Sequence, residues 1–260
     1  MRNREIQLAI LISGGGTTME SVLDARERGE LDGIHPVAVI SSRPDAGGLE
    51  KAKTLGVETY VVNRQEYPYA AGFGRDLLTL LWRLKIDLVS QNGWLPLTPE
   101  SVVSAYRGWI INQHPGPLDP GRAVDFGGKG MFGTRVTAAR VAYAWEAREG
   151  YWTEATVHQV TEEFDNGGLI ATSAMPLPEP GTSTTVCELV ESPAMLLEAT
   201  RDVQTSLLPQ EHALVVDTLR TIGSTGNVPV YKREKPLVPS AYVDIAHQAK
   251  QAAIQLYPNG

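Results

Sequence analysis

Asn112 and His114 stand two residues apart in IINQHPGPLDPG (110–121). Side chains of a strand alternate between faces, so residues two apart share one. Ile110 and Ile111 read as the buried lead of such a strand, and Pro115 and Pro117 fix its exit. An amide beside an imidazole is a minimal kit for acyl transfer. The amide N–H can hold a developing oxyanion, and the imidazole can carry charge or pass a proton. Taken alone, a histidine beside an apolar strand is more often structural than catalytic. The imidazole also needs a carboxylate to orient it. Asp119, Asp125, Glu162, Glu163 and Asp165 are the candidates, and Asp165 is the strongest because FDNGGLI sets it in a glycine-punctuated turn between apolar strands. No Ser or Cys here forms a nucleophile motif, and the HxH and HExxH spacings are absent, so no metal is expected.

A second stretch, SGGGTT (13–18), follows an apolar run and opens a helix. Glycines let backbone N–H groups approach an anion, and a helix N-terminus adds free donors and a favourable dipole. The nucleotide fingerprints do not fit: no Gly-Lys-Ser/Thr ending is present, and Met19 stands where a dinucleotide loop has glycine. Two readings remain, a phosphate cradle without a nucleotide and a plain strand-to-helix turn.

The elements that must position these residues alternate in type. Apolar strands are expected at 6–13, 35–42, 57–62, 86–91 and 108–114, with helices from 17, over 47–56 and over 73–85. Strands apolar on both faces point to a parallel sheet covered on both sides. A helix at 133–147, a strand pair at 153–161 and 169–178, and helices through much of 184–222 follow, with Leu208, Val215, Leu219 and Ile222 on one stripe. The fold class is therefore α/β: a mostly parallel twisted sheet flanked by helices, with an antiparallel strand pair and a C-terminal extension. Residues 1–222 are expected to form one catalytic domain, and 223–260 an extension or strap. Ligands of such sheets sit beyond the carboxyl ends of the strands, where SGGGTT, QNGW (91–94) and NQHPGP (112–117) converge. The glycine-rich loop at 127–130 reads as a surface excursion or as the hinge of a lid, the lid being favoured because Lys129 could close on an anion. His158, in mid-strand, reads as structural.

The chain has 260 residues, a net charge of −7, a single cysteine (Cys187) and no long basic run. Loose binding to nucleic acid or to a membrane surface is not expected, and an internal disulfide is impossible. The apolar run in MRNREIQLAILISGGG is too short for a signal peptide, and no stretch reaches the length of a membrane span. A cytoplasmic protein acting on small molecules is expected, with a homodimer as one option.

The residues also resemble a known family. ILISGGGTTME, ISSRPDAGGLEKAKTLGVETYVV, INQHP, TVHQVTEEFDNGGLI and PQEHAL are together similar to the folate-dependent formyltransferases, most closely the branch that formylates glycinamide ribonucleotide in purine synthesis. The resemblance covers about residues 6–178, with a fragment at 209–214. It implies a formyltransferase-like, Rossmann-related fold and a reaction in which 10-formyltetrahydrofolate, as co-substrate, gives its formyl group to a primary amine. It also implies roles. Asn112, His114 and Asp165 would be the catalytic trio, with Asp165 raising the His114 pKa. Gly15, Gly16, Thr17 and Thr18 would hold the acceptor's phosphate, and Glu211 its ribose. Asn92, Gly93, Trp94, Leu95 and Leu97 would line the folate pocket, with 161–165.

The departures cluster on one side. The family usually has Ser-Asn at Thr17-Thr18, an arginine after the aromatic that is Trp94 here, and Ser-Leu-Leu-Pro where this chain has GPLDP. The loop 122–133 is longer than usual, a customary histidine has no counterpart near Phe132, Gly133 and Thr134, and the tail past 223 is additional. The donor side and the trio are kept, while the acceptor side is rebuilt. Three alternatives therefore stand beside glycinamide ribonucleotide formylation: another small amine such as an amino sugar nucleotide as acceptor, formyltetrahydrofolate hydrolysis, and a non-catalytic folate binder.

Overall fold

A computed structural model describes residues 4–260. In chain order the elements are β1 (Ile6–Ile12), α1 (Thr17–Glu27), β2 (Ile34–Ser41), α2 (Gly48–Thr54), β3 (Glu58–Val61), α3 (Ala70–Arg83), β4 (Leu88–Gln91), α4 (Glu100–Ala105) and β5 (Ile110–His114). They continue as α5 (Thr134–Ala147), β6 (Trp152–Gln159), β7 (Leu169–Pro176), α6 (Val186–Glu191), α7 (Ala194–Thr225) and α8 (Val243–Leu256). The strands form one sheet in the order β3-β2-β1-β4-β5-β6-β7. The first five pair in parallel, and β6 runs antiparallel to both β5 and β7.

Burial explains the parallel half. Leu8, Ala9, Ile10, Leu11 and Ile12 of β1 are fully buried, so both faces of this central strand need cover. One face carries Ile10, Ile12, Met19, Val22, Leu207 and Leu219, packed beneath α1 and α7. The other carries Ala9, Leu11, Phe73, Leu77 and Leu81, beneath α3. The strand order reverses between β1 and β4, which opens the crevice in which such sheets bind ligands.

A third apolar cluster gathers around α5, with contributions from α6, α7 and α8. Helix α7 crosses residue 222 and ends at Gly226, whose left-handed φ of 67° suits a glycine cap. Residues beyond it return to the body. Tyr231 bridges to Leu169 by backbone hydrogen bonds, Leu237 N–H donates to Asp119, and α8 lies against α5. Leu208 departs from the expected apolar stripe: it is 39% exposed, and Leu207 takes the buried place. The buried line of α7 runs Leu196, Thr200, Val203, Leu207, Glu211, Leu214 and Thr218, at spacings of three and four, which leaves Leu208 at its edge.

The loop 122–133 also differs from expectation. Val124, Phe126 and Met131 are buried in the third cluster, and Phe126 meets the Tyr143 ring edge-on at 5.4 Å. Gly127 N–H donates to Asp125 and Gly128 N–H to Asp165. The segment expected as a free excursion or hinge is pinned, and Lys129 is exposed, outside the lining of the main cavity.

Candidate active site

The carboxyl ends of β1, β4 and β5 meet a cavity of about 620 Å³, closed on its far side by the N-terminal half of α7. Gly15, Gly16, Thr17, Thr18, Asn92, Gly93, Trp94, Leu95, Asn112, His114, Asp165 and Glu211 all line it. Leu97 does not. It lines a smaller adjoining hollow shared with Trp94, Asn112, His158 and Asp165.

Asp165 is set by its turn. It has a φ of +55°, a left-handed conformation that Asp tolerates better than most residues with a Cβ. That turn aims the carboxylate at β5 and β6. Oδ2 lies 3.7 Å from His114 Nδ1 and accepts from Gly128 N–H at 2.9 Å, while Oδ1 lies 3.5 Å from His158 Nε2. Burial alone would raise the Asp165 pKa, but the His114 imidazole and the Gly128 N–H hold it down to about 2. The carboxylate is the fixed charge of the site. His114 is fully enclosed, with Nε2 3.1 Å from the Phe126 carbonyl. Burial pulls its pKa below the usual imidazole value, and Asp165 pushes the other way. The expectation that Asp165 would raise it thus names a real influence, which burial outweighs.

His158, read as structural, belongs to this cluster. The β5–β6 register places it directly opposite Asn112, and paired residues in adjacent strands share a face. Its Nδ1 lies 2.7 Å from the Gln159 carbonyl, which needs a donor there, so in the neutral ring Nε2 accepts from Asn112 Nδ2 at 3.0 Å. One amide hydrogen of Asn112 is held by this contact and the other is left for the cavity. The signal available was its position in a strand flanking the Asp165 turn, but pairing of that strand with β5 was not readable.

At the exit of β1, Gly16 caps α1 with a φ of +66° and no side-chain cap. The first-turn N–H groups are therefore not satisfied by a capping side chain. A Cβ at Gly16 would sit 2.9 Å from Gly48 Cα, so the close turn also requires glycine sterically. Across the cavity Arg201, Gln204, Thr205, Leu208 and Glu211 form one helical stripe, of which the sequence reading contained only Glu211 as a site residue. The spacing of three and four was the signal. Glu211 is 6% exposed and accepts from Gln113 Nε2 at 2.5 Å. Burial pushes its pKa up to about 7, and the Gln113 hydrogen bond opposes this.

At the exit of β4, Trp94 is buried and stacks on Phe73 with ring centroids 5.9 Å apart. It is a wall of the pocket anchored in the core. Asn92 is 4% exposed, and its Nδ2 has no hydrogen-bond partner.

Residues 6–197 match the formyl transferase family. The chain belongs to this family. A chloroplastic phosphoribosylglycinamide formyltransferase of Arabidopsis thaliana is 31% identical over 173 residues, which cover 66% of this chain and 56% of that protein. The chain thus spans about half the length of that curated relative. Among solved structures, glycinamide ribonucleotide transformylase 1 from Symbiobacterium toebii superposes with a TM-score of 0.67 at 26% identity, covering 86% of this chain and 90% of its own. Phosphoribosylglycinamide formyltransferase from Brucella melitensis gives 0.66 at 26% identity, covering 88% and 100%. These likenesses span the mostly parallel sheet with its antiparallel strands, the fold expected for the family. Among the described residues no helix is long and apolar enough to cross a membrane.

Proposed function

We propose that this formyltransferase-family chain moves a formyl group from 10-formyltetrahydrofolate to a primary amine, that of glycinamide ribonucleotide. The carrying observation is the convergence of Asn112, His114 and Asp165 at the meeting point of the phosphate-loop end and the Trp94 wall of one cavity. Asn92, Gly93, Trp94 and Leu95, with Leu97 in the adjoining hollow, would hold the folate. Gly15, Gly16, Thr17 and Thr18 would hold the acceptor's phosphate, and Glu211 its ribose. The formyl-folate supplies the electrophilic carbon. Attack by the amine places negative charge on the formyl oxygen, where the free N–H of Asn112 can donate. The attacking nitrogen must lose one proton and the departing folate nitrogen must gain one. His114 can carry that proton, because its imidazolium forms beside the fixed charge of Asp165.

A second acceptor deserves the same test. Gln113 occupies one Glu211 oxygen, and Arg201, Gln204 and Thr205 add polar groups to that wall, so another small phosphorylated amine also fits. The experiment follows tetrahydrofolate release from 10-formyltetrahydrofolate with and without glycinamide ribonucleotide. Nucleotide-dependent release, falling about 10²- to 10⁴-fold in kcat for His114→Ala, is expected. Release independent of any amine would overturn transfer in favour of hydrolysis. Binding of the folate without release would overturn catalysis.

A further inference from the structure

Helix α8 lies beyond the residues matched to the family, yet it reaches the catalytic cluster through one side chain. Lys250 Nζ donates to the Asp125 carbonyl at 3.0 Å and to the Gly127 carbonyl at 2.7 Å. The peptide oxygen between these two belongs to Phe126 and is the partner of His114 Nε2. The next N–H, on Gly128, donates to Asp165. Four consecutive residues of one loop thus divide between an ammonium on one side and the His114–Asp165 pair on the other.

We infer that Lys250 is a positioning residue for catalysis, a clamp from the C-terminal helix that holds the 125–128 loop against His114 and Asp165. The inference rests on the reading of those two residues as catalytic. Three features make the clamp effective. An ammonium has three donors, so it can hold two carbonyls at once without a matching pair of side chains. Carbonyls bound to a charged donor make stronger hydrogen bonds than carbonyls bound to neutral ones. The loop also has no slack. A Cβ on Gly127 would lie 2.5 Å from Leu118 Cδ2 and 2.7 Å from Asp165 Cβ, so the loop backbone already rests on the catalytic carboxylate. Lys250 itself is half-buried, and desolvation lowers its pKa while the charges of Asp125 and Asp165 oppose that shift. Neighbouring restraints leave this side open. Asp125 Oδ2 accepts from Asp119 N–H, and Arg233 Nε donates to the Leu118 carbonyl, so the rest of the tail fixes the loop's entry while Lys250 fixes its centre.

The test compares full-length wild type, Lys250→Met and Lys250→Arg. Lys250→Met keeps the alkyl stem and loses the donors; Lys250→Arg restores a charge with several donors. Two readouts are taken on folded protein, checked by thermal melting: kcat and KM for formyl transfer, and the pH titration of the His114 imidazole by NMR. For Lys250→Met, kcat falls about 10- to 100-fold, as misplacement by an ångström costs, with KM for the acceptor within about twofold. The His114 resonance and its titration midpoint move, and Lys250→Arg recovers most of both. Unchanged kcat and unchanged His114 titration in Lys250→Met would overturn the clamp. So would a loss of activity confined to KM, or one tracking only a lower melting temperature. If Lys250→Met does not fold, Lys250→Leu, which keeps an apolar side chain and has no donor, takes its place with the same two criteria. If wild type transfers no formyl group while the His114 titration still moves on substitution, the proposed function fails, and Lys250 holds the loop against His114 without the catalytic role inferred for it.

Discussion

Glu211 is the residue at which site chemistry and fold stability oppose each other. Its carboxyl group is buried at the end of the α7 stripe with a single hydrogen-bond donor, Gln113 Nε2. Burial raises its pKa from 4.5 to about 7. A carboxyl whose pKa is higher in the folded state binds its proton more tightly there, so folding is weakened once pH exceeds the unfolded value. The loss begins near pH 4.5, grows up to about pH 7 and is constant above that. The shift corresponds to roughly 3 kcal/mol at full development. Glu211→Gln keeps an oxygen for Gln113 and removes the titration. Urea unfolding at pH 5 and pH 8 should show wild type losing a few kcal/mol that the variant retains, and parallel behaviour of the two proteins would refute it. The catalytic candidates carry local signals, Asn112 and His114 in their strand spacing and Asp165 in its turn, while the pairing of Asp165 with His114 came from the family resemblance. The Gln113–Glu211 and Asn112–His158 contacts were not legible, because each joins residues far apart in sequence across elements whose pairing no local pattern fixes.

The glycine loop is where composition misled at the scale of elements. Glycines at 127, 128 and 130 suggested a hinge, since glycine is the residue of conformational freedom. Here Gly127 serves close approach instead. It lies where Leu118 and Asp165 leave no room for a methyl group, and its carbonyl is taken by Lys250. The parallel strands were legible because each is a short apolar run followed by a helix. The antiparallel pair was legible as a pair, but its insertion beside β5, which brings His158 to the site, was not. Gly127→Ala is expected to push the loop or the Asp165 side chain aside. Overpacking of this kind costs about 1–3 kcal/mol in stability. A shift of the carboxylate should lower kcat by about 10-fold or more. Gly47→Ala serves as the control, since a Cβ there meets nothing within 4 Å. Steady-state kinetics of both variants check the expectation, and full activity in Gly127→Ala would show that the loop yields without disturbing Asp165.

At the scale of the whole molecule, α5 decides what the C-terminal residues are for. Twelve of its fourteen residues are buried, including Arg135, Arg140 and Trp145, and a helix buried on every side must be covered on every side. The sheet side, α6 and α7 leave one flank, and α8 fills it with Ala246, Ala249, Ala252 and Ala253. Small residues at helical spacing let the two axes approach closely. Arg135 then ties the end of the chain down, donating to the Tyr257 and Pro258 carbonyls while its guanidinium lies 4.6 Å from the Phe132 ring centre. The third apolar cluster is therefore continuous with the core under the sheet through α7, whose Leu196 and Val203 belong to one and Leu207 and Leu219 to the other. Removing residues 243–260 should expose an apolar flank of α5 rather than release an appendage. Full burial of a large apolar side chain is worth about 1.5–3 kcal/mol, and Ile245, Ile254 and Leu256, partly buried on the same cluster, each supply a share of that. A loss of several kcal/mol in a chain of this size lowers the melting temperature by about 10 °C or more. Differential scanning calorimetry of the shortened chain should record that drop, with a dye for exposed apolar surface binding already at 25 °C. A melting temperature equal to that of the full chain would mean that α5 recloses on its own, and that α8 contributes to the loop it touches without contributing to the core.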